Sequence, residues 1–132
     1  MSKKDELIYH AIKAMAQAYA PYSQFQVGAA LLDEKDDIHQ GVNVENAAYP
    51  QGSCAEAGAI SSMIMAGGRR IKAVAVAGKG EALCTPCGGC RQRLREFAAP
   101  DTPVYICGPD GLRAEFTLAA LLPESFGPDN LA

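Results

Sequence analysis

The chain has no tryptophan, only two histidines and few aromatic residues of any kind, 7% of its 132 positions. His10 and His39 are not spaced as ligands to a common ion, so a histidine-built metal site is excluded. Without an aromatic–basic groove there is nothing on which single-stranded nucleic acid would stack. Positive charge is also scarce. Twelve Lys and Arg stand against fifteen Asp and Glu, for a net charge of −3, which argues against any polyanionic partner. The one dense basic stretch is Arg91, Arg93 and Arg95. No apolar run approaches the ~18 residues of a membrane span. The opening Met1-Ser2-Lys3-Lys4-Asp5-Glu6 turns charged where a signal peptide turns apolar, so a soluble cytoplasmic protein is expected. Gly78-Lys79-Gly80 lacks the spacing of a phosphate loop and reads as a turn. Repeats, low-complexity tracts and linkers are missing too. With 48% hydrophobic residues, the expectation is one domain over residues 1–132 with a core of its own.

Against these absences stand five cysteines, an odd number in a chain with no export signal. In a reducing compartment clustered cysteines point to metal or catalysis rather than disulfides. Cys54-Ala55-Glu56 and Pro86-Cys87-Gly88-Gly89-Cys90 supply three soft ligands and one carboxylate. Three thiolates hold a tetrahedral Zn²⁺ and leave a fourth position for water, whose pKa the metal lowers to about 7. Glu56, two residues past Cys54, is too close to bind the same ion easily and well placed beside that water. Cys87 and Cys90 are one helical turn apart, so their sulfurs share a side. Cys84 creates an overlapping Cys-x-x-Cys, and a closed four-cysteine structural site is the competing reading. Pro86 holds Thr85 extended and so turns Cys84 away from the helical turn, which favours the open site. Cys107 reads as an apolar residue in a strand.

Apolar spacing predicts a helix over residues 5–19, strands over 26–32 and 38–44 joined by an exposed acidic turn, and a helix from Cys54 to Gly67-Gly68. A continuous small-apolar strand at 71–77 follows, then a helix after Pro86 with Cys90, Leu94 and Phe97 on one face. Strands at 104–107 and 112–116 and a short helix capped by Thr117 and stopped by Pro123 complete the order. The fold class is α/β, a three-layer α/β/α domain with a mixed five-stranded sheet. Both cysteine motifs then fall at helix N-termini, whose positive ends offset part of the thiolate charge.

Beyond the metal motifs, Pro21-Tyr22-Ser23-Gln24-Phe25-Gln26-Val27-Gly28, Gly41-Val42-Asn43-Val44-Glu45-Asn46-Ala47-Ala48-Tyr49, Arg91-Gln92 and the tail Phe126-Gly127-Pro128 all resemble the cytidine deaminases of the small homotetrameric type. The likeness runs from about Tyr19 to Leu131. It implies a cytidine deaminase-like fold with one Zn²⁺ per subunit, held by Cys54, Cys87 and Cys90. Glu56 would be the acid–base catalyst for hydrolysis of free cytidine and 2′-deoxycytidine to uridines and ammonia, in pyrimidine salvage. Phe25, Asn43, Glu45 and Ala55 would bind the nucleoside, with Asn43 and Glu45 on the ribose hydroxyls and Phe126 reaching in from a neighbouring subunit. A related deaminase of a nucleoside antibiotic shares the metal motifs but not Phe25 and the Phe126 tail. One departure stands out. Many family members carry Arg directly after the catalytic Glu, bonded to the zinc thiolates, where this chain has Ala57. Either the helix dipoles and a substitute cation such as Arg91 compensate, or the metal keeps more negative charge.

Overall fold

A computed structural model describes all 132 residues, Met1–Ala132. Strands β1 (Val27–Asp33), β2 (Ile38–Val42), β3 (Ile71–Gly78), β4 (Pro103–Gly108) and β5 (Gly111–Thr117) form one sheet in the order β2-β1-β3-β4-β5. Only β3 and β4 run parallel; the other neighbours are antiparallel, so the sheet is mixed as expected. Helix α1 (Lys3–Met15) covers one face, and α2 (Ala55–Met65), α3 (Gly88–Phe97) and α4 (Leu118–Leu121) cover the other.

The layering follows from the period of two along a strand. In β3, Val74 and Val76 pack with Ala59, Met63 and Leu94 on the α2–α3 side. Ala73, Ala75 and Ala77 point the other way, against Leu7 and Ala11 of α1. A strand buried on both faces must be apolar throughout, which is why this segment was legible as a continuous run. On the opposite edge, Gly41 of β2 lets α2 settle directly on the sheet. A β-carbon there would collide with the backbone of Ala55 and Ala59 and lift the helix.

Two boundaries and the exposure of one turn differ from the sequence expectation. Helix α1 stops at Met15 rather than Tyr19, because the backbone of Tyr19 is claimed elsewhere. Its N–H donates to Asn43 O (3.0 Å) and its carbonyl accepts from Glu45 N–H (2.9 Å). Strand β2 ends at Val42, whose partner Gly28 lies at the start of β1, and Val44 turns to pair with Ser53 instead. The turn after β1 is not wholly exposed: Asp33 is buried. Its carboxylate accepts from the N–H groups of Lys35 (2.8 Å) and Asp37 (3.0 Å) and meets His39 Nε2 at 2.7 Å.

Burial pushes the Asp33 carboxyl up, but the His39 contact and the two backbone donors outweigh it and hold the group below its ordinary range. The folded pKa therefore lies under the unfolded one. The charged carboxylate contributes stability that is fully present above the unfolded value and fades as pH falls through the folded value. Denaturation of the wild type and of Asp33→Asn at several pH values should show a stability gap at pH 7 that closes in acid. A gap unchanged down to pH 3 would mean that shape and packing, not charge, make Asp33 important.

Candidate active site

The two cysteine motifs reach the same place from different elements. Cys54 is the N-cap of α2 and Cys87 the N-cap of α3, both in extended backbone geometry. Cys90 is the third residue of α3 and is fully buried. The three sulfurs lie within 4.8 Å of one another. Sulfurs about 2.3 Å from one tetrahedral ion stand about 3.8 Å apart, so this donor set fits zinc. Cys84 is not part of the cluster. It packs against Gly78, where a β-carbon would collide with it, and burial raises its thiol to about 11.

All five cysteines are unpaired. Burial raises the thiols of Cys54 and Cys90, while the backbone N–H of Cys90 lowers that of Cys87. Buried thiols crowded together resist ionisation until a cation displaces their protons. The Cys107 thiol, buried in β4, is likewise raised to about 11 and takes no part.

Glu56, in the first turn of α2, is only 4% exposed. Burial raises its carboxyl, partly opposed by its own backbone N–H, the Cys90 thiol and the charge of Arg93. It lines a cavity of about 170 Å³ together with Val27, Asn43, Cys54, Ala55 and Cys84. Ala55 is buried at the first position of α2, so helix backbone forms that wall.

The remaining sequence-predicted residues surround this cavity unevenly. Asn43 accepts from Val27 N–H (2.9 Å) and donates to the Phe25 carbonyl (2.9 Å), which leaves its amide one donor and one lone pair. Glu45 lines a second hollow of about 340 Å³ with Tyr22, Ser23 and Tyr49. Its carboxylate accepts from the N–H groups of Tyr22 and Ser23 (2.9 and 3.1 Å) and from the Ser23 hydroxyl. Phe25 lies against Gly78 and Gly80 with its ring half-exposed. Phe126 is exposed, tethered through its carbonyl to the Gln92 side chain (2.8 Å), and touches neither cavity.

The basic stretch of α3 is committed internally. Arg91 donates to Pro86 O (2.6 Å), Leu121 O (2.7 Å) and Thr85 Oγ1 (3.1 Å) and reaches no sulfur, which corrects its assignment as the substitute cation. Arg95 is buried against Ser125 and Asp129. Arg93 is the residue that sequence reasoning missed: its Nη1 stands 3.8 Å from Cys90 Sγ. The signal was present in the spacing, since residues three apart on a helix are neighbours and adjacent ones are not.

Comparison with known proteins agrees with this geometry. Residues 1–106 match the family model described as the cytidine and deoxycytidylate deaminase zinc-binding region. The chain is 44% identical over 128 residues to a cytidine deaminase of Sporosarcina psychrophila, covering 97% of this chain and 94% of that protein. It is 41% identical over 125 residues to one of Halalkalibacterium halodurans, covering 95% of each. The crystal structure of cytidine deaminase from Burkholderia pseudomallei superimposes with a TM-score of 0.87 at 40% identity, over 96% of this chain and all of the other.

Proposed function

The chain belongs to the cytidine and deoxycytidylate deaminase family, and from that premise we propose that it hydrolyses free cytidine and 2′-deoxycytidine to the corresponding uridines and ammonia, as one domain serving pyrimidine salvage. One observation carries the reading: three sulfurs converge, and the buried Glu56 carboxylate lines one small cavity with two of them, Cys54 and Cys87. Cys54, Cys87 and Cys90 would hold a Zn²⁺, which would supply the Lewis acidity that makes water a nucleophile near neutral pH. Glu56 would take a proton from the attacking water and deliver it to N3 of the ring as C4 is attacked. It then moves the second proton to the departing amino group, so that one water enters and one ammonia leaves. Ala55 positions the base, and Asn43, whose amide keeps one donor and one lone pair, meets a ribose hydroxyl together with Glu45. Glu45 retains one lone pair, on Oε2, beyond its bonds to Tyr22 and Ser23, enough to accept from a ribose hydroxyl.

A cavity of about 170 Å³ holds a pyrimidine ring and not a nucleoside, because ligand pockets of that class start at about 300 Å³. Tyr22 and Tyr49, which line the second hollow, and Phe126 all stand exposed. A homotetramer in which neighbours complete the pocket, with Phe126 reaching across, gives these aromatics a partner and the substrate a wall. The negative charge and lack of a basic groove support nucleoside rather than polynucleotide as substrate. No helix is long and apolar enough to cross a membrane, and five unpaired cysteines suit the reducing cytoplasm.

Zinc-loaded protein should release ammonia from cytidine and 2′-deoxycytidine and sediment as a tetramer at assay concentration. Failure to release ammonia from either nucleoside would overturn the activity. A fully active monomer would overturn the shared pocket alone.

A further inference from the structure

We propose that Arg93 is a positioning residue for the metal centre, its guanidinium holding the Cys90 thiolate in the role left open by Ala57; the proposal rests on the zinc reading above. Three thiolates on Zn²⁺ leave a net charge of about −1. The helix N-termini serve the sulfurs unequally. Cys54 and Cys87 occupy the N-caps themselves, whereas Cys90 is the third residue of α3, towards the end of its first turn. The N-terminal field fades within that first turn, so the fully buried Cys90 needs a charge of its own.

Arg93 is the one arginine of α3 free to supply it. Arg91 is spent on Pro86, Leu121 and Thr85, and Arg95 on Ser125 and Asp129. Arg93 joins no ion pair, and its hydrogen-bond partner is Cys90 Sγ, at 3.8 Å from Nη1. Two small residues make the approach possible. A β-carbon at Gly89 would stand 3.0 Å from Nη1, tight enough to displace the guanidinium. Ala57 and Arg93 line the same hollow of about 370 Å³ on the outer side of α2 and α3, so a bulky side chain at 57 would compete for the space. The alanine and the arginine form one arrangement. Charge that could come from α2 comes from α3, through an N–H···S contact of 3.8 Å between a guanidinium and a thiolate.

The test compares zinc-loaded wild type with Arg93→Met, which keeps the stem and removes the charge. Transfer of zinc to a competing chelator should be ~10–100-fold faster in the variant, the usual scale for losing a group that supports a metal ligand. In cobalt-substituted protein, the thiolate-to-metal charge-transfer band should move to lower energy, because a sulfur without its donor holds its electrons less tightly. Ala57→Arg should change the release rate little by itself and slow it in the Arg93→Met background, a coupling that a double-mutant cycle measures. Equal release rates and an unmoved band in Arg93→Met would overturn the proposal while leaving the deaminase reading intact. A wild type that binds no zinc would take both down together.

Discussion

Glu56→Gln should fold, keep its zinc and turn cytidine over about 10²–10⁴-fold more slowly, a barrier increase of about 3–5 kcal/mol. The amide has the size of the carboxylate and the site is closed around it, with Glu56 only 4% exposed. What the amide cannot do is accept a proton and return it. Because Cys54 caps the helix whose first turn carries Glu56, the proposed ligand and the proposed acid–base group sit on one element. Metal content therefore reports whether the substitution has disturbed that helix, and turnover reports the proton transfer. Full zinc with slow turnover is the expected pair of results. Full zinc with near-normal turnover would remove Glu56 from the mechanism.

That helix also shows how far the sequence could be read. The start of α2 at Cys54, the start of α3 at Cys87 and the doubly buried β3 all follow from local pattern, and each is where it was expected. Local pattern misled where a distant backbone group competed. Apolar spacing carries α1 on to Tyr19, but Asn43 and Glu45, far along the chain, take the peptide groups of Tyr19 and end the helix at Met15. Asp33 reads as one member of a solvated acidic turn until His39 arrives from β2 to bury it. Neither partner is visible in a window of sequence.

The centre itself divides along the same line. Cysteine spacing on one helix is local, so Cys87 and Cys90 were legible, and Cys54 joined them through the carboxylate beside it. The charge around them was less so. Arg91 follows Cys90 directly and was the first choice, yet successive side chains on a helix point about 100° apart. Its guanidinium swings to the Pro86 and Leu121 carbonyls, while Arg93 returns to the sulfur. The separation of Glu45 from the metal-side cavity also needed three dimensions, because β2 ends at Val42 before strand alternation can bring Asn43 and Glu45 together.

Cys90→Ser should lose most of its zinc and, with it, nearly all deamination, whereas Cys84→Ser should keep full zinc. A serine hydroxyl is a hard, neutral donor in place of a soft thiolate, and the remaining two sulfurs cannot hold zinc alone at comparable affinity. Cys90 is also the sulfur that is wholly buried between the helices, so no solvent ligand slips easily into its place. Cys84 differs in each respect. It is outside the three-sulfur cluster and packs on Gly78 instead, so its sulfur is not aimed at the ion the other three would share. It does line the cavity, so Cys84→Ser can alter KM for cytidine by changing the wall that faces the base. Metal analysis after exhaustive dialysis separates the two roles. If Cys84→Ser lost zinc as Cys90→Ser does, four thiolates would close the coordination shell. No position would then remain for water, and the centre would be a structural clamp between α2 and α3 instead of a hydrolytic one.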